Sequence, residues 1–556
     1  MAYGRADVKS KHKTHSFFSG VVILAVSNLL VKCAGLMFKI PMNYIIGDTG
    51  MGYYNSAYSV YTFLYMLSTS GLPVAISVMV SENRSLGRSR SATRVLRIAL
   101  TLFGVIGAAT SAVMLFASDA LCDLIGSERS AYSLMTIAPT MLFICISSAY
   151  RGYFQGCGNM VPTAVSQLIE AIFKLVLGVS AASYAIRCGY SIEVVAAFAV
   201  SGLTLGAFAG LIYLAVYRFL HRDRYSLTTE ATADEGFDRS SVIRRFIKIS
   251  LPITVSASVM SLTGMIDTAL IQRVLQSSGM SEEMAATLFG NYTSLAVPMF
   301  NLPPVLVYPI AYSLVPIVAS AFSSGKRERA GGAIEASIRT AVIIGLPCAL
   351  GMAVLAEPIL CLFYKESSAA IAAPLLSCLA PSSLFVCILA VTNSVLQGCG
   401  REKLTVISML AGAVLKTVSG YVLIGRLGII GAPISTFLCY LAVTLLNFVF
   451  VVRTCGVKFS FTGTFLKPLL ASVLCAAAAY FSNCIFIPHV GEKLACVLAV
   501  ILAAAVYAVA VLAMRAVTLG EIKSLIGTRR IGKETKNDGK NKRAQKQIKN
   551  RAKARL

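Results

Sequence analysis

Apolar residues in this chain run in long blocks, not at the two-residue period of a half-buried strand or as the single stripe of a soluble helix. A helix that crosses a bilayer needs about 20 predominantly apolar residues. Such blocks recur at 17–46, 53–80, 95–117, 132–155, 161–185, 193–217, 246–272, 286–320, 335–356, 368–397, 404–425, 429–452, 466–487 and 492–514. The pattern predicts an all-α polytopic membrane protein with 14 transmembrane helices, called spans one to fourteen below. The first block, from Phe17, is too long for the apolar core of a signal peptide and lacks a small-residue cleavage site, so it reads as the first span.

The polar segments between blocks carry the orientation, because cytoplasmic loops gather Lys and Arg. Arg5, Lys9, Lys11 and Lys13 precede span one, and the next loop, Gly47 to Gly52, has no basic residue. Arg84, Arg88, Arg90, Arg94 and Arg97 follow. Arg129 alone is then followed by Arg151, a weak case, and Arg187 alone by the group from Arg218 to Lys248. Arg273 alone precedes Lys326, Arg327, Arg329 and Arg339, and Lys365 alone precedes Arg401 and Lys403. Arg426 alone precedes Arg453, Lys458 and Lys467, and Lys493 alone precedes the tail from Arg515. The alternation places both termini in the cytoplasm and requires an even number of spans.

The two halves repeat. FQGCGNMVPTAVSQLIEAIFKLVLG, from Phe154 to Gly178, aligns without gaps on LQGCGREKLTVISMLAGAVLKTVSG, from Leu396 to Gly420. Apolar composition alone does not align a QGCG turn together with an intramembrane lysine, Lys174 on Lys416. Weaker echoes pair Val26, Ser27 and Gly35 with Val255, Ser256 and Gly264, and Gly52, Tyr54 and Ser56 with Gly290, Tyr292 and Ser294. The expected organisation is a basic N-terminus (1–15), a six-span lobe (16–220), a polar linker (221–243), a second six-span lobe (244–455), two further spans (456–516) and a basic tail (517–556). An even number of spans per repeat gives both halves the same orientation, related by an axis along the membrane normal.

Composition agrees. Apolar residues make up 56% and charged residues 13% of 556 residues, and mean hydropathy is +0.74. Soluble chains average about 25% charged residues, so lipid must be the main solvent here. The net charge of +25 sits in loops and in the Lys-rich tail, which reads as an anchor at anionic lipid rather than a nucleic-acid site. The 15 cysteines form no CxxC pair or metal spacing, and the four His, at 12, 15, 221 and 489, lie in tails and loops. No nucleotide loop, catalytic triad, metal or cofactor is expected.

Charges inside the spans are few. Lys32, Lys39, Lys174 and Lys416 stand out, because a charge at the bilayer centre costs about 2.5–3.5 kcal/mol and turns to a cavity or a partner. Lys32 and Lys39 are seven residues apart on one helical face shared with Asn28 and Gly35, and span one holds no acid. They make either a cationic cavity wall or, for Lys39, a snorkelling pair. Glu170 lies one turn before Lys174 and can pair with it, whereas Gly412 stands in the acid's place before Lys416. Lys416 is therefore expected to be the freer cation. Asp267 in span seven either couples transport to sodium or protons or pairs with a lysine from another helix. Tyr54, Tyr58, Tyr61 and Tyr65 form one stripe in span two beside Asn55, which either receives sugar rings or simply packs. Span eight carries Asn291, Asn301, Pro303, Pro304 and Pro309, residues that bend or break a helix. Buried lysines without acids suit an anionic ligand such as a diphosphate.

The segments SFFSGVVILAVSNLLVKCAGLMFKIPMNYIIGDTGMGYY, STSGLPVAISVMVSE, YRGYFQGCGNMVPTAVSQLIE and SLTGMIDTALIQ resemble the stage V sporulation protein B group. That group is a branch of polysaccharide exporters in the MATE/MurJ-like superfamily, and the resemblance runs from Ser16 to Val517. It implies two six-helix lobes around a V-shaped cavity plus two C-terminal helices that form a groove for a polyprenyl tail. It also implies a flippase for lipid II or a related lipid-linked oligosaccharide, serving wall, spore-cortex or polysaccharide assembly in a bacterial inner membrane. Lys32 falls on the basic cavity pattern of the first helix in MurJ-like members, and Lys39 is one residue out of step. Asp267 resembles the span-seven acid of members with a sodium site, but span eleven here has Lys416 and no acid. The substrate-binding candidates are thus Asn28, Lys32, Lys39, Asn55, Lys174 and Lys416, with Asp267 for ion coupling. The expected partners are the lipid-linked substrate and membrane lipids, and the chain is expected to act as a monomer. A MATE-type exporter of cationic drugs, which would need acids in the cavity, and an enzyme acting on polyprenyl phosphates are the alternatives.

Overall fold

A computed structural model describes residues 3–86, 88–221, 239–323, 327–457 and 459–514. The interior of the expected linker and the basic tail lie outside the described residues. Among those described, 92% are helical and none is in a strand. Every block read as a span is helical. Spans one and two are a single run, Tyr3–Thr69, with a non-helical Gly47 (φ 68°) between them. Glycine reaches that φ without the steric cost a Cβ imposes. Span two continues as Leu72–Ser85. The others are Ser89–Phe116, Ala131–Gly156, Val161–Arg187, Ile192–Leu220, Arg239–Ser277, Glu282–Ser323 with interruptions, Arg327–Val354, Glu366–Gly398 with a break, Glu402–Leu427, Gly431–Cys455, Thr462–Val490 and Glu492–Ala513. By length and hydropathy ten stretches among the described residues qualify as crossing segments, or eleven when the bent pair Glu366–Leu379 and Ser382–Gly398 counts as one. Leu30–Ser85 and Glu402–Cys455 span 56 and 54 residues, each enough for two crossings at about 1.5 Å per residue.

The buried apolar residues form separate cores. One runs from Phe38 to Leu214 and takes in Phe246, whereas two others, Ile271–Ala432 and Val307–Val457, lie in the second half. Spans thirteen and fourteen pack on each other and on Leu355. Outside these cores the helices show apolar faces, with Phe116 86% and Val418 61% exposed, as lipid contact requires. Close crossings use small residues. A Cβ on Gly202 would come within 2.6 Å of Gly178 Cα, so spans five and six meet backbone to backbone.

The repeat is visible in three dimensions. Both QGCG turns end in a left-handed glycine, Gly158 (φ 78°) and Gly400 (φ 68°), and close with matching bonds. Asn159 N donates to Phe154 O, and Arg401 N to Leu396 O. Gly156 rests on Ser77 and Val80, and Gly398 rests on Val315 and Val318, pairs related by the same offset as Gly52 and Gly290. Near the loop at Gly47 the relation is reciprocal. Gly52 abuts Ala286, Gly290 abuts Asp48, and Thr49 shares a 2.8 Å hydroxyl bond with its own mate, Thr287. A pseudo-two-fold axis therefore passes between spans two and eight. At the same end Arg273 bonds Asp123 at 3.0 Å and Arg129 lies 3.8 and 3.7 Å from Glu282 and Glu283, tying one half to the other.

Candidate functional site

The repeat brings Lys174 and Lys416 to equivalent places, and their surroundings reverse the expectation drawn from span five alone. Glu170 does not pair with Lys174. It pairs with Arg151, at 2.5 Å, and Arg151 Nε also donates to Ser166 Oγ at 3.0 Å. The one-turn spacing made a Glu170–Lys174 bridge possible, but a buried guanidinium from the neighbouring helix wins. Its planar fork serves the carboxylate and a hydroxyl together, which a single ammonium does less well. Arg151, counted above with the loop residues, is 91% buried inside helix Ala131–Gly156, so it is not part of a basic loop. Gly206 and Gly210 leave room for Glu170.

Lys174 is left to aromatic rings. Its ammonium stands 5.0 Å from the Phe38 centroid, 5.0 Å from Tyr58 and 5.9 Å from Tyr54. No carboxylate pairs with it among the described residues. The rings continue as a file. Phe38 and Tyr54 are 5.6 Å apart, Tyr54 stacks on Tyr58 at 6.0 Å, Tyr58 meets Tyr61 at 5.6 Å, and Tyr61 stacks on Tyr65 at 5.9 Å. The tyrosine stripe of span two is thus a continuous stack whose first members hold the lysine.

Lys416, expected to be free, is bound. Its Nζ donates to Asp267 Oδ2 at 2.9 Å, with the two side chains 15% and 18% exposed. Of the two readings of Asp267, the structure shows the pair with a lysine of another helix. Asp267 is the repeat mate of Phe38, at the offset that relates Ser27 to Ser256. Where the first half puts a ring beside its lysine, the second puts a carboxylate. The place of Glu170 is closed in the second half, because a Cβ on Gly412 would run into Val443 and Cys439. Its neutral counterpart there is an amide chain. Ser408 Oγ donates to Asn447 Oδ1 at 2.5 Å, and Asn447 Nδ2 to Asn393 Oδ1 at 2.6 Å. Asn393 is the mate of Arg151.

The span-one candidates divide. Lys39 Nζ donates to Thr293 O at 2.8 Å, across the boundary between halves. Thr293 belongs to a π-helical turn, Tyr292–Ala296, whose carbonyls need partners because the helical ladder is interrupted. Tyr364 hydroxyl serves Ser294 O at 3.2 Å in the same way. Lys39 and Lys174 are close enough for their charges to repel. Lys32 is exposed and lies 4.7 Å over the Tyr308 ring of span eight, and Asn28 on the same face is exposed. Asn55 is buried, donating to Met51 O at 2.7 Å and Ser294 Oγ at 2.6 Å. The structure therefore groups Lys39 and Lys174 beside the ring file, sets Lys32 and Asn28 further along span one, and puts Asn55 into the packing between halves. Thr293, Tyr308, Phe38 and Arg151 escaped the sequence reading. The offset that relates Phe38 to Asp267 was the one signal in the sequence that could have marked Phe38.

Comparison with known proteins agrees with this architecture. The profile of the family described as polysaccharide biosynthesis protein matches residues 17–322, and that of MatE matches residues 252–422. Stage V sporulation protein B of Bacillus subtilis (strain 168) is 27% identical over 436 residues, 78% of this chain and 83% of its own. Lipid II flippase MurJ of the same organism is 24% identical over 534 residues, 92% of this chain and 96% of its own. The solved structure of a lipid II flippase MurJ in an inward closed conformation superposes with TM-score 0.68 at 14% identity, covering 88% of this chain and 98% of that one. Such relatives are transporters rather than enzymes. With more than half its length matched, the chain belongs to the polysaccharide biosynthesis protein family and is a multi-pass membrane transporter.

Proposed function

We propose that this chain is a flippase for an anionic sugar precursor linked to a polyprenyl diphosphate, lipid II or a related lipid-linked oligosaccharide, moved across a bacterial cytoplasmic membrane by rocking of its two lobes. The observation that carries the reading is the charge of Lys174, held by rings, near Lys39 and with no carboxylate partner among the described residues. An ammonium in that state attracts a diphosphate strongly, because charge-assisted bonds to phosphate oxygens are about twice as strong as neutral ones. Tyr58 and Tyr65, half-buried in the ring file, offer faces to the sugar. Lys32 and Asn28 extend the polar face along span one. In this reading the chain works as a monomer, and the alternation of basic loops supports both termini in the cytoplasm.

Coupling to sodium or protons through Asp267 would require the Lys416 bond to open first, and the 2.9 Å pair supports transport that needs neither ion. A MATE-type exporter of cations is favoured by the MatE match and by likeness of the fold to solved MATE transporters, and the excess of lysine over acid beside the rings opposes it. Mass spectrometry of lipid that co-purifies with the full chain tests the reading. A polyprenyl diphosphate glycolipid retained by the natural chain and lost from Lys174→Gln is expected. Retention of none, or of zwitterionic lipid only, would overturn it.

A further inference from the structure

Span ten ends in the second QGCG turn and span twelve ends at Cys455, both at the end of the molecule that carries the basic loops. There the Sγ atoms of Cys399 and Cys455 lie 3.6 Å apart, within hydrogen-bond reach of each other. A disulfide bond is about 2.0 Å long, so the sulfurs stand roughly 1.5 Å short of one. Each cysteine is followed directly by a left-handed glycine, Gly400 (φ 68°) and Gly456 (φ 65°), where its helix stops. The movement needed therefore falls on two turns and not on the interior of a packed helix. Cys399 is half-buried and Cys455 is 8% exposed, so a reagent from water reaches Cys399 first. Cys455 donates to the Cys399 sulfur, and the Arg401 guanidinium lies near it. Together they hold the Cys399 thiol below its usual range against the opposing effect of burial, and the thiolate is the reactive form. The first lobe lacks this arrangement. Its own turn carries Cys157 beside Tyr153 and Arg84, and span six, the counterpart of span twelve, contains no cysteine.

We propose that Cys399 and Cys455 form a redox-modification site, a dithiol that hydrogen peroxide converts to a disulfide and a small dithiol restores. The Cys399 thiolate attacks one peroxide oxygen. The S–O bond forms, the O–O bond breaks, and hydroxide leaves and takes up a proton as water. Cys455 then attacks the sulfenic sulfur. The S–S bond forms, the S–O bond breaks, and the oxygen departs as a second water with the Cys455 proton. Two thiols and one peroxide thus become one disulfide and two waters, and thiol exchange reverses the change. The bond fixes the turn after span ten to the end of span twelve and closes a loop over span eleven, all within one lobe. In the cytoplasm, where the orientation proposed above puts this end, thiols are kept reduced, so the dithiol is the resting form. The reaction itself does not depend on that orientation, and nothing in the transport reading depends on the site.

The full chain in detergent, reduced and then freed of reductant, is treated with a small excess of hydrogen peroxide, alkylated, digested without reductant and mapped by mass spectrometry. A peptide pair linked from Cys399 to Cys455, found on monomeric protein and lost after dithiothreitol, is expected. It should form at least about tenfold faster than any oxidation product at Cys157. In Cys455→Ser, Cys399 should instead accumulate as a sulfenic acid trapped by dimedone. In Cys399→Ser, the Cys455 thiol should stay reduced. A natural chain without the Cys399–Cys455 link, a link from Cys399 to another cysteine, a link found only between two copies, or oxidation of Cys157 at an equal rate would each overturn the assignment.

Discussion

In the first lobe the Lys174 ammonium rests over Phe38, Tyr54 and Tyr58. In the second, its repeat mate Lys416 bonds the Asp267 carboxylate at 2.9 Å. Both lysines descend from one position of a duplicated sequence, and both are taken out of water, so the difference lies in how each charge is met. A ring offers a cation about 0.5–2 kcal/mol but leaves its net charge intact. A carboxylate cancels it. Two unit charges 4 Å apart interact by about 4 kcal/mol at an effective dielectric of 20, so an incoming anion gains that order of energy from Lys174 and little from a pair already neutral. The buried ion pair of the first lobe, Arg151–Glu170, is built from positions that are Asn393 and Gly412 in the second. Among the described residues, each lobe thus sets one ion pair at these repeat positions, and the first keeps Lys174 in addition. The duplication has been specialised into a cationic lobe and a neutral one.

That contrast can be broken from the neutral side, where the largest effect on stability is expected. Lys416→Gln strands the Asp267 carboxylate. Breaking a fully buried pair costs about 3–5 kcal/mol, and the residual exposure of both groups reduces that to roughly half. The melting temperature should fall by several degrees, and Asp267→Asn added to it should restore most of the loss. A single variant that melts with the natural chain would mean that the pair is not held in the membrane. Glu170→Gln leaves Arg151 unpaired, so a comparable loss of stability is expected without tighter lipid retention. Tighter retention would show that Glu170 does answer Lys174.

The comparison can also be sharpened by making the second lobe like the first. Asp267→Asn keeps the shape of the side chain and frees Lys416 beside Tyr292 and Tyr440, which already interact with it. A few-fold rise in retained anionic lipid is expected in native mass spectrometry, with no new dependence on sodium. A fall would count against charge as the deciding difference. The smallest effect belongs to Lys365, exposed and 3.4 Å from Tyr44 O. Lys365→Ala should leave stability within about 0.5 kcal/mol and transport unchanged, and a transport defect would extend the site beyond the lobes' lysines.

The helices and the repeat were legible because both are written in local pattern. Twenty apolar residues must be helical in lipid, and the QGCG turn with its lysine aligns without gaps. The partners were legible only in part, because they come from other helices: a lysine of another helix was one reading of Asp267, but no local pattern says which lysine. Spacing along span five offers Glu170 to Lys174, and only the packing of span four brings Arg151 to Glu170 instead. Lys416 looked free for the same reason, its acid being far off in the chain at Asp267. Asn55 read as a polar residue beside a ring stripe, and the close approach of spans two and eight turns it onto Ser294. Lys39 read as a candidate ligand, but a π-turn no sequence period announces gives it a carbonyl to serve. Spacing within one helix shows which contacts are possible, and packing between helices decides which of them form, through small residues that let the backbones meet, such as Gly206 and Gly210 around Glu170.

The account turns on whether the two lysines differ because one charge is free and the other is not. Flipping of a fluorescent polyprenyl-diphosphate sugar in proteoliposomes tests this with two variants that leave no carboxylate stranded. Lys174→Gln removes the ring-held ammonium, and Lys416→Gln with Asp267→Asn removes the neutral pair whole. At equal amounts of folded protein, Lys174→Gln should flip at least about tenfold more slowly, whereas the double variant should stay within about twofold of the natural chain. Equal loss in both, or loss in the double variant alone, would contradict the division into a cationic and a neutral lobe.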